Sequence, residues 1–474
     1  MHSSLAKKIC SVVKIDNPGL SWEQISQKII EIANKIKSIS KNRREVFPCE
    51  NLVYVLKCMG FRPDACAPGV DLERLTQKRT GNCVEISVLS ILVGEHLGWQ
   101  LHAKRVPNHM LVHTRANGKS INLEVLSFEQ PIRDDDYYIK NYAIAIKQKE
   151  SGIYLRDLSE DELAGEIISK LLEEKMQTGQ QLSSKDWAMI QLSLSKNPLG
   201  IDIYNNVGLN YLLHNKYHRA ELWFRRALDI DGNCISAANN LIETLIAQQK
   251  YQEAVSCEKS FNKYELYRVN LPPSLMQNFG KAHIRLGNYS RASQYLAGVV
   301  KLYQKVKIIG QIDLVRPYQA CIAFFQKQFV KSASIALEWA KSDNKYEIGF
   351  VWALSAYLHS GMDKVRRRQL LEQVDIQDSY VSSLAHLFCE KITARELINS
   401  HPHKKSETAC YLGEYFFRTK PKDALKYWNY CVSCQPRQTF EHLRAFRNLA
   451  DTKRLNNATV PSKTLYTKEK YCIT

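Results

Sequence analysis

The stretch "IYNNVGLNYLLHNKYHRAELWFRRALDIDG", residues 203–232, decides the fold of the larger part of this chain. It carries small and aromatic residues at the offsets of a helix–turn–helix repeat of roughly 34 residues. These residues are Gly208, Tyr211, Ala220, Phe224 and Ala227. Small residues let the two helices approach closely, and aromatic rings fill the gap to the next repeat. The spacing therefore predicts an α-helical solenoid.

Related offsets recur downstream, at Ala254, Gly280, Ala292, Cys321, Ala333 and Ala340, and again at Gly413, Ala424, Trp428, Cys431 and Pro436. The pattern resembles tetratricopeptide repeats, and the resemblance implies a concave face that binds a protein or peptide. We expect the solenoid to cover residues 201–450. Residues 151–200 are predicted to be a helical linker or a degenerate first repeat, because Pro198 lies one repeat length before Gly232. The polar, basic residues 451–474 are expected to be disordered.

Bulk composition indicates an ordinary globular protein of more than one domain. The chain has 474 residues, a length that exceeds what one hydrophobic core usually supports. Hydrophobic residues make up 45% of it and charged residues 24%, which is typical of globular proteins. Its 13 cysteines are scattered without the paired spacing of a disulfide scaffold, which favours a reducing compartment. No signal peptide or membrane-spanning run is visible. We therefore expect a cytoplasmic protein, and export by a route without a cleaved signal stays open.

The chain is basic, with 66 Lys and Arg against 48 Asp and Glu and a formal net charge of +18. Such an excess favours acidic partners or nucleic acid. Local clusters occur at "KNRR" (41–44), "KVRRRQ" (364–369) and "HPHKK" (401–405), but none has the aromatic residues or motif context of a nucleic-acid module. We therefore interpret the excess first as a solvated basic surface and next as a preference for acidic peptide partners, and we disfavour nucleic acid.

The first region, residues 1–150, combines helices with a hairpin. Isoleucines at helical spacing predict an amphipathic helix over 22–40, and further helices are predicted over 50–60 and 83–97. The segments "MLVHTR" (110–115) and "SINLEV" (120–125) read as strands joined by Asn-Gly, the strongest short hairpin signal. Residues 130–190 give no clear assignment.

The segment "TGNCVEISVL" (80–89) places Cys83 in the first turn of an apolar helix. A helix N-terminus favours a thiolate because its free N–H groups and its dipole stabilise an anion. Cys83, Ser87, Ser90 and Gly94 form one stripe of small residues against which a sheet can pack. Nucleophilic chemistry also requires a base and a group that orients the base.

The hairpin can supply both partners. If the turn has two residues, Ala116 pairs with Lys119 and His113 pairs with Asn122. Because side chains alternate along a strand, His109, Leu111 and His113 then share a face with Asn122 and Glu124. His109 and Glu124 become diagonal neighbours, close enough for a carboxylate to hold an imidazole. A shift of the register by one residue would separate them.

The segments "RTGNCVEISVLSILVGEHLGW", "VPNHMLV" and "INLEV" together resemble the core of the transglutaminase-like branch of papain-like cysteine enzymes. The closest likeness is a bacterial subgroup that carries C-terminal tetratricopeptide repeats. The resemblance covers roughly residues 50–130. It implies an α+β papain-like N-terminal domain followed by the helical solenoid. It also implies Cys83 as nucleophile, His109 as base and Glu124 as orienting acid, where the family more commonly has Asp.

Other residues have supporting or alternative roles. Asn82 precedes the nucleophile, Asn122 is an alternative partner of the imidazole, and His113 replaces His109 as the base if the register differs. A metal site built from Cys83, His109, His113 and Glu124 is disfavoured because no ligand-spacing motif supports it. Cys431 and Cys434 form a C-x-x-C in which Cys431 occupies a packing position. We expect no cofactor, and no acidic loop motif suggests calcium.

Two functions follow from these patterns. The first is a cysteine-dependent acyl-transfer enzyme of the protease, deamidase or transglutaminase type, which acts on an amide of a protein or peptide. The second is an adaptor in which the first domain is an inactive enzyme fold and the repeats bind a partner. The chemical state of Cys83 discriminates between the two.

Overall fold

The chain forms two compact units, residues 1–244 with 260–269 and residues 245–259 with 270–474. The computed structural model describes residues 4–16, 21–40, 50–64, 67, 69–116, 118–127, 129–259, 271–342, 347–434 and 439–456. Asn117, Pro436 and residues 457–474 lie outside the described residues, as does the basic cluster at 41–44.

The first unit contains eleven complete helices among its described residues. They are α1 (Ser4–Asp16), α2 (Trp22–Ser40), α3 (Glu50–Cys58), α4 (Leu72–Lys78), α5 (Cys83–His96), α6 (Asp135–Asn141), α7 (Ile146–Glu150), α8 (Glu160–Gln177), α9 (Ser184–Lys196), α10 (Ile201–Leu213) and α11 (Tyr217–Ile230). Helix α12 (Ile235–Ala247) contains the boundary between the units. Isoleucines 25, 29, 32 and 36 of α2 are buried against α5, as their helical spacing predicts.

Four antiparallel strands form the main sheet, in the order β3-β4-β5-β6. They are β3 (His102–Val106), β4 (His109–Ala116), β5 (Lys119–Leu123) and β6 (Ile132–Arg133). A short parallel pair, β1 (Arg62–Pro63) and β2 (Thr80–Gly81), lies before α5. The predicted hairpin register is confirmed, because Ala116 pairs with Lys119 and His113 pairs with Asn122. Strands β3 and β6 were not predicted.

The sheet has two differently covered faces. Met110 and Val112 of β4 join the core that α5 packs into, together with the N-terminal helices. Leu111, on the opposite face, contacts Tyr138 and the segment that follows the sheet. Alternation puts His109, the first residue of β4, on the face of Leu111. Its position at the end of the strand still leaves it within hydrogen-bond reach of Cys83 in the first turn of α5.

Helices α8 and α9 pack as an antiparallel pair over residues 160–196, within the region expected to be helical. Gly165 is required at their crossing, because an added Cβ would lie 2.7 Å from the Cβ of Asn197. Helices α10 and α11 form the next pair. Gly208 there faces the ring of Phe224, which an added Cβ would meet at 2.6 Å. The small and aromatic positions thus contact each other as the repeat spacing predicts.

The second unit is helical throughout its described residues. After α13 (Tyr251–Ser256) its α-helices cover Pro273–Leu286, Tyr289–Lys305, Arg316–Phe325, Phe329–Ser342, Ile348–Ser360, Lys364–Leu371, Ser379–Phe388, Ala394–Ser400, Lys405–Phe416, Pro421–Cys434 and Phe440–Asn456. Two 3-10 helices cover Ile309–Leu314 and Pro402–Lys404. The last helix reaches Asn456, which corrects the expectation of disorder from residue 451 because residues 451–456 continue its turns. In the part of the chain described, we find no helix that combines the length and the apolar character of a membrane span.

Candidate active site

Helix α5 begins at Cys83, and a dense set of hydrogen bonds fixes its first turn. Asn82 is the N-cap: its side-chain oxygen accepts from the Glu85 backbone N–H at 3.1 Å. The Glu85 carboxylate in turn accepts from the Asn82 backbone N–H at 2.8 Å, which completes a capping box. The Asn82 amide group donates to the carbonyls of Ala67 at 3.1 Å and Gly69 at 2.8 Å. Cys83 is therefore held between a rigid cap and a buried helix.

Glu85 stabilises this turn through hydrogen bonds to three surrounding residues. It is fully buried and also accepts from the Asp71 backbone N–H at 2.7 Å and from Arg74 at 2.9 Å. Burial raises the pKa of its carboxyl above the ordinary value, against the opposing effect of these donors. Gly81 leaves room for the arrangement, since an added Cβ would lie 2.6 Å from Leu75 and 3.0 Å from the Glu85 carboxylate.

A two-residue turn places His109 near the first turn of α5. Pro107 and Asn108 connect β3 to β4, with Val106 paired to His109. Asn108 has φ of 56°, the left-handed conformation that asparagine tolerates well in turns. His109 is therefore the first residue of β4, buried and within hydrogen-bond reach of the Cys83 thiol. Pro107 and Asn108 thus form the turn that places His109 at the start of β4.

Glu124 holds the imidazole from the other side. Its two carboxylate oxygens lie 2.9 and 3.0 Å from His109 Nε2. This contact leaves Nδ1 as the ring nitrogen for the thiol. Glu124 is itself fixed by the Leu126 backbone N–H at 3.0 Å and the Tyr138 hydroxyl at 3.1 Å. The structure thus brings together the three residues predicted from the hairpin register and the helix start.

The charge state of the imidazole follows from these contacts. Burial alone would lower the pKa of His109, but hydrogen bonds to Cys83 and Glu124 outweigh it and raise the pKa to about 9. Burial likewise opposes ionisation of Glu124, yet the hydrogen bond and charge of His109 hold its pKa below the ordinary value. At neutral pH the pair is therefore an imidazolium and a carboxylate. Tyr142 stacks on the His109 ring, with centroids 5.9 Å apart.

A cleft of about 170 Å³ opens in front of the thiol. Its lining combines Cys83, His109 and the residues next to them with residues of α8, α10 and α12. The lining residues are Cys83, Val84, Arg105, Asn108, His109, Met110, Glu166, Ser169, Lys170, Glu173, Gln177, Asp202, Asn205, Asn206 and Ser236. All belong to the first unit. An engineered apolar cavity of about 150 Å³ holds one benzene molecule, so this cleft accommodates about one side chain.

Asn122 and His113 lie on the predicted face but belong to a different polar cluster. Asn122 accepts from Lys104 at 3.2 Å and donates to Asp135 at 2.9 Å, and does not contact His109. His113 pairs with Asp157 at 2.6 Å through Nδ1 and contacts Ser120 at 2.9 Å through Nε2. Asn122 does not orient the imidazole, because Lys104 and Asp135 use its amide.

The metal alternative finds no support in this geometry. His113 lies with Asp157 and Ser120, so the four candidate ligands do not converge. Across the described ranges, no cluster of three or more His, Cys, Asp or Glu side chains could hold a metal ion. Cys431 is buried in the repeat core and Cys434 is exposed, as the packing interpretation of that pair predicts.

Several residues of the site escaped the sequence analysis. Glu85 could have been found from the Asn-x-x-Glu capping-box spacing that surrounds the cysteine. Tyr138 and Tyr142 come from a region with no clear assignment, so no periodicity pointed to them. Arg105 and Asp202 approach the cleft only through tertiary folding, and no local signal marks them.

The basic clusters described by the structure serve local packing. In the cluster at 364–369, Arg367 donates to the Phe388 carbonyl at 2.7 Å, and Arg368 donates to the Cys389 carbonyl at 2.8 Å. Both arginines thus satisfy carbonyls at the end of a neighbouring helix. In the cluster at 401–405, Lys404 pairs with Glu407 at 3.0 Å.

Comparisons with known proteins identify one of the repeats. The family model described as Tetratricopeptide repeat matches residues 201–234. No curated protein matches the chain. Among solved structures, the chain is similar to the one described as "Crystal structure of APC/C hetero-tetramer Cut9-Hcn1", with 15% identity and a TM-score of 0.35. The alignment covers 60% of this chain and 48% of the solved chain, so this chain spans about half the length of the solved one. Residues 201–234 thus form a tetratricopeptide repeat, a module that suggests a protein partner.

Proposed function

We propose that the protein is a cysteine-dependent acyl-transfer enzyme acting on an amide of a protein or peptide. Its first domain would have a transglutaminase-like, papain-like fold. The observation that carries the proposal is that the His109 imidazole is hydrogen-bonded both to the Cys83 thiol and to the Glu124 carboxylate. In this arrangement the Glu124 contact fixes the ring and the raised pKa of His109 keeps it protonated beside the thiol.

The chemistry balances with these groups alone. The Cys83 sulfur forms a bond to the amide carbonyl carbon, and the C–N bond then breaks as His109 gives its proton to the leaving nitrogen. The resulting thioester is attacked by water or by an amine, whose proton returns to His109 as the C–S bond breaks. Water gives hydrolysis or deamidation, and an amine gives a cross-link.

The helix start also offers donors for the oxyanion that forms on the carbonyl. Within the described residues the backbone N–H groups of Cys83 and Val84 have no hydrogen-bond acceptor, because the Asn82 side chain accepts from Glu85 instead. Donors at a helix N-terminus that point into a cleft stabilise developing negative charge. We therefore assign the Cys83 N–H to the oxyanion, as the sequence suggests.

The repeats would bind the protein that is modified or a partner that directs the enzyme. The net charge of +18 makes an acidic partner the expected one. The tetratricopeptide repeat also favours a second candidate function, a non-enzymatic adaptor with an inactive first domain. Disfavoured nucleic-acid binding and a cytoplasmic location remain predictions from the sequence.

Product formation tests the enzyme directly. The purified chain is incubated with casein and a fluorescent primary amine, and products are read as amine incorporation, deamidated carboxamides and new peptide ends. We expect at least one product, lost in Cys83→Ala and in His109→Ala but retained in Cys58→Ala, a matched change at an exposed cysteine. If wild type and Cys83→Ala give the same products, the adaptor function takes precedence.

A further inference from the structure

The first tetratricopeptide repeat forms one wall of the cleft in front of Cys83. Asp202 and Asn205 of α10, together with Ser236 of α12, line the same cleft as Cys83 and His109. Asp202 and Asn205 lie near the start of α10, and Ser236 lies near the start of α12. A residue entering the cleft therefore has both the nucleophile and the repeat within its lining.

The charged groups in the cleft do not balance. Arg105 is buried and paired with Glu166 at 2.8 Å, and it also donates to the Leu199 carbonyl at 2.7 Å. Lys170 pairs with Glu173. Asp202 is half-buried, and among the described residues it has neither a hydrogen bond nor an ion pair closer than 4.0 Å. One carboxylate without a partner therefore lines the same cleft as the nucleophile, in a space about the size of a side chain.

We infer that Asp202 is a specificity-determining residue that binds a positively charged side chain next to the reacting amide. The inference rests on the proposed function, since it concerns what the same site selects. A buried or half-buried carboxylate without a partner is costly, and a cation from the substrate removes that cost. A lysine or arginine side chain also matches the size of the cleft. The basic residue that enters the cleft is a local feature of a partner that is acidic elsewhere.

The pH at which this selection operates follows from the surroundings of Asp202. Burial and the negative charge of Glu166 raise the pKa of its carboxyl to about 6, against the opposing charge of Arg105. Glu173 and Lys170 of α8 act in opposite directions on the same group. Above about pH 6 the carboxylate is ionised and can attract a cation, and below it the preference is lost.

Charged thiol reagents measure this preference without knowledge of the substrate. Cys83 is treated with cationic trimethylammonioethyl methanethiosulfonate, anionic sulfonatoethyl methanethiosulfonate and neutral methyl methanethiosulfonate. In each case the thiolate forms a disulfide and releases methanesulfinate, and peptide mass spectrometry reads the rate at Cys83. Each rate is divided by that of the neutral reagent.

We expect the cation-to-anion rate ratio to fall roughly tenfold in Asp202→Asn, because loss of one charge slows the cation and speeds the anion. Asp229→Asn, an exposed change in the same repeat, should leave the ratio near the wild-type value. The wild-type ratio should also fall when the pH drops through about 6. An equal ratio in wild type and Asp202→Asn overturns the inference.

The same experiment distinguishes a failure of the Asp202 inference from a failure of the proposed function. If Cys83 reacts with the neutral reagent at a rate that depends on His109 but shows no charge preference, only the role of Asp202 fails. If Cys83 does not react with the neutral reagent, or reacts independently of His109, the proposed function fails and the inference with it.

Discussion

Replacing Glu124 by Gln removes the charge that faces His109 and keeps the size of the side chain. The carboxylate lies 2.9 and 3.0 Å from Nε2, and both groups are buried, so solvent screens their attraction weakly. Gln can still accept one hydrogen bond through its carbonyl oxygen. The substitution therefore isolates the electrostatic part of the contact.

The expected magnitude comes from the pKa of His109. Its rise from 6.5 to about 9 corresponds to about 3 kcal/mol at about 1.4 kcal/mol per pKa unit. The hydrogen bond to Cys83 contributes the largest raising effect, and the contact with Glu124 contributes the next. We therefore expect Glu124→Gln to lower the pKa of His109 by about 1–2 units.

The same shift predicts how stability depends on pH. Because the folded-state pKa of His109 is raised, the group contributes stability that is fully present below pH 6.5. That contribution is lost as the pH rises through about 9. The loss should be smaller in Glu124→Gln. Urea denaturation at a series of pH values measures both free energies of unfolding.

Nuclear magnetic resonance of protein with carbon-13 in the histidine rings measures the titration itself. The His109 signal is assigned by its disappearance in His109→Ala. His113 gives an internal control, because burial and Lys104 lower its pKa and Glu124 does not contact it. A wild-type His109 midpoint near 6.5, or one that Glu124→Gln leaves unchanged, would refute the reasoning.

Four further substitutions test the packing that supports the site and the repeats. Asn82→Ala removes the helix cap and two buried donors, and should lower the free energy of unfolding by about 2–4 kcal/mol in urea denaturation; a loss near zero would contradict the cap. Gly413→Ala places a Cβ 2.3 Å from an indole ring and should cost about 1–3 kcal/mol. Gly310→Ala, with nothing within 4 Å, should be nearly neutral, and equal losses would contradict the packing. Glu414→Gln leaves the charge of Arg444 buried without a carboxylate and should cost about 3–5 kcal/mol by thermal unfolding; an unchanged melting temperature would contradict this.

The positions of Cys83, His109 and Glu124 could be predicted because they depend on strand alternation and on the start of a helix. The Asn-Gly turn signal fixed the register of β4 and β5, and alternation then placed His109 beside Glu124. Both signals are local, because a two-residue turn allows one pairing and a strand has a period of two. The position of Cys83 at a helix start followed in the same way.

The remaining features depend on tertiary contacts that no local pattern records. Strand β3 reads "HAKRV", whose charged residues argue against a buried strand, yet Lys104 and Arg105 are buried because Asn122 and Glu166 pair with them. The partners of Asn122, Lys104 and Asp135, come from elsewhere in the fold, so its place in a separate polar cluster had no local signal. Asp202 is separated from Cys83 by several helices in sequence, so only the folded chain reveals their shared cleft.

The most direct test of the account is the rate of Cys83 alkylation by iodoacetamide as a function of pH, read by peptide mass spectrometry in wild type and His109→Ala. An ordinary thiol ionises near pH ~8.5. The exposed Cys58 in the same sample is the reference cysteine. We expect Cys83 to react well below that pH and His109→Ala to abolish this reactivity. Alkylation of Cys83 that follows the pH dependence of Cys58, or that is indifferent to His109→Ala, would contradict the proposed ion pair.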